Sequence, residues 1–215
     1  MPDPNLQVNL EQSRGTLLAV VGPSGAGKDS LIAFARRELS GDPSVLFVRR
    51  VITRAAVASA EDHDHLSPDE FAVARAAGQF AVHWEAHGLS YGVPAMVRAH
   101  LSAGGVAVLN GSRAALTDIR AAFGSVVVVH VTAPPEILAQ RLAGRGRETE
   151  AGISHRLQRA TIGLPPQKSW VEIDNSGALE AAAAILLATI RQTLNNGVHV
   201  SSGEDSDDIS RRLTF

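Results

Sequence analysis

Residues 22–30 read GPSGAGKDS, a spacing suited to gripping a polyphosphate. Gly22, Gly25 and Gly27 let consecutive backbone N–H groups turn toward a common point. A helix opening just after them adds the positive end of its dipole. Lys28 supplies a mobile positive charge that reaches the β- and γ-phosphates of a nucleoside triphosphate. The pattern G-x-x-x-x-G-K ordinarily continues with Ser or Thr, whose hydroxyl holds magnesium. Here Asp29 stands in that place and Ser30 follows. A carboxylate is a good ligand for a hard cation such as Mg2+, and it also stabilises the first turn of a helix. The run Gly22, Pro23, Ser24, Gly25, Ala26, Gly27, Lys28, Asp29 and Ser30 is therefore the expected ATP site. Asp29 and Ser30 are the expected Mg2+ ligands.

A second concentration of chemistry lies far along the chain. Residues 137–160 read ILAQRLAGRGRETEAGISHRLQRA, with Arg141, Arg145 and Arg147 around a glycine-rich turn and Arg156 beyond it. Phosphoryl transfer demands positioning and charge neutralisation more than covalent chemistry. Guanidinium groups grip phosphate oxygens in pairs and do not lose their proton. A segment of this kind can close over two anionic substrates and expel water. Lys28, Arg141, Arg145, Arg147 and Arg156 are the expected catalytic cations. Glu148 and Glu150 support a competing reading of these arginines as a salt-bridged helical face. His83 and His87 stand four apart, but in a stretch without helical periodicity, and with His63 and His65 they form no helical H-x-x-x-H or H-E-x-x-H motif, which argues against zinc.

These groups need a scaffold, and the rest of the chain supplies its pattern. TLLAVV at 16–21 is a short apolar run ending in glycine, as a buried parallel strand does. Further strands are expected at 45–52 (VLFVRRVI), 105–110 (GVAVLN), 126–131 (VVVVHV) and 170–173 (WVEI). Helical spacing recurs at 29–39, 93–102, 112–122, 136–143, 153–162 and 179–194. Strands alternating with helices predict an α/β protein, a parallel sheet with helices on both faces. Residues 53–92 lose periodicity and read as an inserted lobe. Residues 1–14 read as a flexible arm, 15–194 as the domain, 141–156 as its lid, and 195–215 as a mobile tail.

Bulk properties bound the function. A chain of 215 residues, 45% hydrophobic, suits one compact domain with a small insertion. The net charge of −2 gives no case for nucleic acid or an acidic membrane surface. With no cysteine, disulfides and thiolate metal sites are excluded. The N-terminus lacks a basic-then-apolar signal, and AAAAILLATI at 181–190 is too short to span a bilayer. A soluble, cytoplasmic protein is expected; a homodimer is left open.

Taken together, these segments resemble the guanylate kinase branch of the nucleoside monophosphate kinases. The resemblance runs over residues 15–194 and rests on GPSGAGK, Thr53–Arg54, EDHDHLSPDEF at 61–71, SYG at 90–92 and the arginine segment at 137–160. It implies a P-loop NTPase fold with an inserted acceptor lobe and an arginine lid. The acceptor lobe departs from that family. His83 replaces the Glu that precedes the lobe's Trp, here Trp84. Val57 stands in place of the second phosphate-binding Arg, His63 in place of a Tyr, and Val93 in place of a hydroxyl residue. Asn110, Gly111, Ser112 and Arg113 stand where an acidic strand end is usual. A pocket without these base-reading groups is built for another acceptor.

The departures form their own pattern. GKDS, ITR, EDH, the run at 84–92 (WEAHGLSYG), NGSR at 110–113 and RGRE at 145–148 resemble the ribose 1,5-bisphosphate phosphokinases of bacterial phosphonate utilisation. The resemblance implies transfer of the γ-phosphoryl of ATP to a sugar phosphate, giving 5-phospho-α-D-ribosyl 1-diphosphate. The nucleophile is then a phosphate oxygen already ionised at neutral pH, and no general base is required. Arg54, Glu61, His63, His83, Tyr91 and Arg113 are the expected substrate contacts, with Arg50 and His87 behind them. Trp84 is expected to pack the lobe. DNSG at 174–177 fits either a surface against adenine or an ordinary turn. A nucleoside monophosphate kinase of altered base preference is the runner-up. A non-catalytic binding module is third, and Lys28 with the arginine set argues against it.

Overall fold

The computed structural model describes residues 15–54, 63–86, 88–143 and 170–199, with side chains to 196 in the last segment. The first strand, β1 (Thr16–Val21), is buried along nearly its whole length. Such a continuous apolar run belongs in a sheet covered on both faces. Helix α1 (Lys28–Glu38) follows, its inner face formed by Leu31, Ile32 and Ala35. Asp29 lies in its first turn and Arg36 and Arg37 in its last, each complementing the helix dipole.

The expected strand at 45–52 is two strands in two different sheets. β2 (Val45–Phe47) lies in the main sheet and β3 (Arg50–Ile52) in a smaller one. Between them Val48 donates its N–H to Val108 O at 2.9 Å and buries its side chain. Arg49 turns out to solvent and the chain crosses over. An unbroken apolar pattern carries no mark of such a crossing.

The inserted lobe is more regular than its sequence. β4 (His63–His65), α2 (Pro68–Ala76), β5 (Phe80–Ala86) and β6 (Leu89–Pro94) join β3 in a sheet of order β4-β3-β6-β5. β3 and β4 are parallel; the other neighbours are antiparallel. Ser67 caps α2: its hydroxyl accepts from Glu70 N–H, and the Glu70 carboxylate accepts from Ser67 N–H. Only Phe71 and Ala74 of α2 are buried, so its apolar stripe is too thin to show as a period. β4 reads HDH and has no apolar residue at all.

The remaining elements follow in alternation. α3 (Met96–Ser102) begins later than expected, because β6 takes Val93 and Pro94. After β7 (Val106–Asn110), the expected helix at 112–122 divides into a 3-10 turn (Arg113–Ala115) and α4 (Leu116–Ala122). β8 (Val126–Thr132), α5 (Pro135–Ala143), β9 (Trp170–Asp174) and α6 (Leu179–His199) complete the chain. α6 carries the backbone helically to His199, past the helix end expected at 194. The helix expected at 153–162, the arm at 1–14 and the tail from 200 lie outside the described residues.

The main sheet has the order β2-β7-β1-β8-β9, and every neighbouring pair is parallel. Alternation along its strands feeds two cores. Leu18, Val20, Val108 and Val129 face α1 and α6, where Leu31, Leu186 and Ile190 meet them. Leu17, Ala107 and Leu109 face the other way, onto Val97, Leu101, Ile119 and the lobe's Val82 and Trp84. The lobe thus shares a core with the sheet and holds its place against the strand ends. No helix among the described residues is long and apolar enough to cross a membrane.

Candidate active site

The carboxyl ends of β1, β7, β8 and β9 lie along one edge of the main sheet, the edge at which parallel α/β sheets bind their ligands. The loop at 22–27 lies here, between β1 and α1. Its backbone needs glycine at two points in particular. Gly22 has φ 150°, and a Cβ there would lie 2.1 Å from Val131 O. Gly27 has φ 87°, and a Cβ there would lie 2.3 Å from Asn175 Nδ2. Lys28 curls over the loop and donates from Nζ to Gly22 O and Pro23 O, both at 2.9 Å. Ser24 and Ser30 are exposed, and Gly25 and Ala26 are buried.

The loop is braced from behind by residues remote in sequence. Asn175 is 3% exposed and donates its side-chain amide to Ala26 O at 2.8 Å. Its own N–H donates to Thr132 O at 2.9 Å. Arg141, on α5, donates to Asn175 O at 2.9 Å and to Gly25 O at 3.5 Å. One of the expected catalytic cations thus ties the loop to the β9–α6 turn. In that turn Asp174 accepts from Ser176 N–H at 2.9 Å. The turn reading of DNSG therefore describes the backbone. The bracing by Asn175 was not legible, since an Asn in a turn usually serves only its own backbone.

Asp29 meets the end of the neighbouring strand. Asn110 Nδ2 donates to Asp29 Oδ1 at 2.6 Å. Arg113 follows three residues on, at the start of the 3-10 turn. His130, near the carboxyl end of β8, was hidden in the sequence within an apolar strand. Its ring stands edge-on to Trp170, with centroids 5.9 Å apart, and Nδ1 lies 3.9 Å from Glu172 Oε1. Burial holds its pKa below the ordinary histidine value; Glu172 opposes this, and the positive charges of Arg113 and Lys28 add to it.

The lobe, packed on the main sheet, carries the acceptor candidates. Thr53 is clasped to β6: its N–H donates to Ser90 O at 3.1 Å, and its hydroxyl accepts from Ser90 N–H at 2.8 Å. That clasp sets the departure of Arg54. Tyr91 stacks on Trp84, with ring centroids 5.4 Å apart and planes 2° from parallel. The Arg50 guanidinium sits over the Tyr91 ring at 5.7 Å. His63 is the register partner of Arg50, so strand pairing brings His63, Arg50 and Tyr91 to one region.

His83 departs from this group. It pairs with Gly92 while Trp84 pairs with Tyr91, so alternation sends His83 to the opposite face of the small sheet, exposed. The structure does not bring His83 together with Tyr91. Glu61, His87, Arg145, Arg147 and Arg156 lie outside the described residues.

Sheet order, glycine loop and lysine define a P-loop nucleotide-binding domain of the guanylate-kinase type. Residues 18–159 match the AAA domain family. Among solved structures, a guanylate kinase from Anaplasma phagocytophilum superposes with a TM-score of 0.61 at 20% identity, over 84% of this chain and 87% of that one. A gluconokinase from Sinorhizobium meliloti 1021 gives 0.51 at 16%, over 89% and 100%. Both likenesses concern the fold alone.

Sequence relatives are more particular. The chain is 46% identical to the ribose 1,5-bisphosphate phosphokinase PhnN of Agrobacterium fabrum, over 82% of this chain and 97% of that one. It is 49% identical to that of Rhizobium etli, over 82% and 90%. For that of Brucella melitensis the figures are 47%, 81% and 91%. The chain belongs to the ribose 1,5-bisphosphate phosphokinase family.

Proposed function

We propose that this protein transfers the γ-phosphoryl group of ATP to the 1-phosphate of ribose 1,5-bisphosphate, giving 5-phospho-α-D-ribosyl 1-diphosphate and ADP in phosphonate catabolism. The observation that carries this reading is the set of cations at the carboxyl end of the main sheet. Lys28 follows the glycine loop after β1, Arg113 follows the neighbouring strand β7, and Arg54 follows β3 of the lobe. Two highly charged anions need such an arrangement to meet. The attacking group is an ionised phosphate oxygen, so the absence of a base from this reading is consistent with its chemistry.

In this reading Lys28 and the loop N–H groups hold the β- and γ-phosphates of ATP. Arg113 and Arg54 grip the two phosphates of the acceptor, with His63 and Tyr91 toward the ribose. Glu61, outside the described residues, is proposed as a ribose partner. His83 is left with no direct contact, because it lies on the far face. Arg145, Arg147 and Arg156 act from the lid, and Arg141 holds the loop in shape. Asp29, an oxygen ligand beside the phosphates, fits Mg2+, which keeps few protein ligands and takes the rest from phosphate and water. Bound there, the ion would neutralise charge on the β- and γ-oxygens. Ser30 faces solvent and is the weaker of the two candidates.

The test is ADP release from Mg-ATP with ribose 1,5-bisphosphate or GMP as acceptor. The bisphosphate alone should support turnover. Turnover with GMP alone would overturn the assignment and make the protein a nucleotide kinase.

A further inference from the structure

We propose that Asp29 and Asn110 have exchanged the usual division of labour around a nucleotide-bound divalent cation: the P-loop helix carries the carboxylate, and the neighbouring strand end carries the neutral group that aims it. This rests on the kinase reading above. In P-loop NTPases the cation is held by a hydroxyl on the residue after the P-loop lysine and by an Asp in the Walker-B position. Here the residue after Lys28 is Asp29. β7 lies beside β1 in parallel, with Asn110 in register with Val20. Gly111 N–H donates to Val20 O at 2.8 Å, which pins the end of β7 at the mouth of the loop. The inventory is unchanged, one carboxylate and one neutral polar group, but each stands on the other's element.

The two residues are in direct contact, with Asn110 Nδ2 2.6 Å from Asp29 Oδ1. An ionised carboxylate has no proton to give, so the NH2 end of the amide must face it. The bond takes Oδ1 and leaves Oδ2 to meet a cation. It also explains why the strand end cannot keep the usual carboxylate. An Asp at position 110 would set two anions at hydrogen-bonding distance before any metal arrived. Asp29 therefore requires a neutral partner, and a neutral strand end requires Asp29 if the site is to hold a divalent ion. Asn110 is a positioning residue in this scheme.

The exchange can be reversed along the same hydrogen bond with Asp29→Asn and Asn110→Asp, alone and together. The probe is Mn2+ with the non-hydrolysable ATP analogue AMPPNP, and binding is read by electron paramagnetic resonance. Asp29→Asn should weaken Mn2+ binding by on the order of tenfold or more. The double variant should recover most of that loss, to within roughly threefold of the natural protein, as coupled neighbours do. Asn110→Asp alone should lower the thermal midpoint of the metal-free protein, and Mn2+ should raise it again. If that variant cannot be purified, Asp29→Asn and the double variant carry the test. Natural affinity in Asp29→Asn, or a double variant no better than Asp29→Asn, overturns the exchange while leaving the kinase reading intact. Failure of the natural protein with AMPPNP to bind Mn2+ overturns both.

Discussion

The nucleotide loop and the acceptor lobe are built on different principles. The nucleotide side is held by buried or partly buried side chains that donate to backbone carbonyls: Asn175 to Ala26 O, Arg141 to Gly25 O and Asn175 O, Lys28 to Gly22 O and Pro23 O. The acceptor side is held by side chains on a small sheet, several of them in solvent. Arg49 clamps Asp64 with both side chains half exposed, 50% and 53%. The capping box of α2 is exposed as well. A polyphosphate is the same in every nucleotide, so a backbone cradle suits it. An acceptor differs between enzymes, and a surface of side chains can change without disturbing the cradle. The departures from the guanylate kinase pattern fall mainly in the lobe, as this division requires.

The comparison can be broken in order of expected effect. Lys28→Ala should cut turnover by roughly 10²–10³-fold, about 3–4 kcal/mol of transition-state stabilisation, and should lower the unfolding midpoint modestly because Gly22 O and Pro23 O lose their shared donor. Steady-state kinetics beside a urea titration check both parts. Asn175→Ala leaves the buried Ala26 carbonyl without its donor. It should cost about 1–3 kcal/mol of stability and weaken nucleotide binding as the loop loosens. Calorimetric titration with ATP would show the second effect, and a cradle that binds normally without Asn175 would contradict the bracing role.

His130 gives a pH signature on the nucleotide side. Its pKa is lower in the folded protein than the ordinary value of 6.5, so the unfolded chain binds the proton first. Its stabilising contribution is complete above about pH 6.5 and is lost as pH falls through the depressed folded value. His130→Phe should flatten that part of the stability–pH curve, measured by denaturant midpoints from pH 5 to 8. Arg49→Ala should be smallest, at about 0–1 kcal/mol, because water screens an exposed pair. A large loss there would show that the lobe depends on its surface clamp and would blur the contrast.

How much the sequence disclosed follows the same line. The main sheet was legible because its strands are continuous apolar runs between helices, and the loop because glycine spacing and Lys28 carry a mechanism. The lobe was not: α2 buries two residues and β4 none that is apolar, so neither leaves a periodic trace. The crossing at Val48 and Arg49 hides inside one apolar stretch. Lys28, Asp29, Arg113 and Arg54 were singled out from residue type and position. His83 was grouped with Tyr91 because type shows no face, and only the register of β5 and β6 separates them. Asn175 and His130 were missed because their meaning lies in partners remote along the chain. For Asn175 the partner is Ala26, 149 positions away.

That separation has a bearing on biosynthesis. β1 finds its neighbours only at Val106 and Val126, and the brace on Ala26 comes only with residue 175. The glycine loop is made early relative to its supports, and its long-range brace forms only once residue 175 is available. Long-range closures of this sort are slow. The capacity to hold a nucleotide is therefore among the last properties the growing chain acquires.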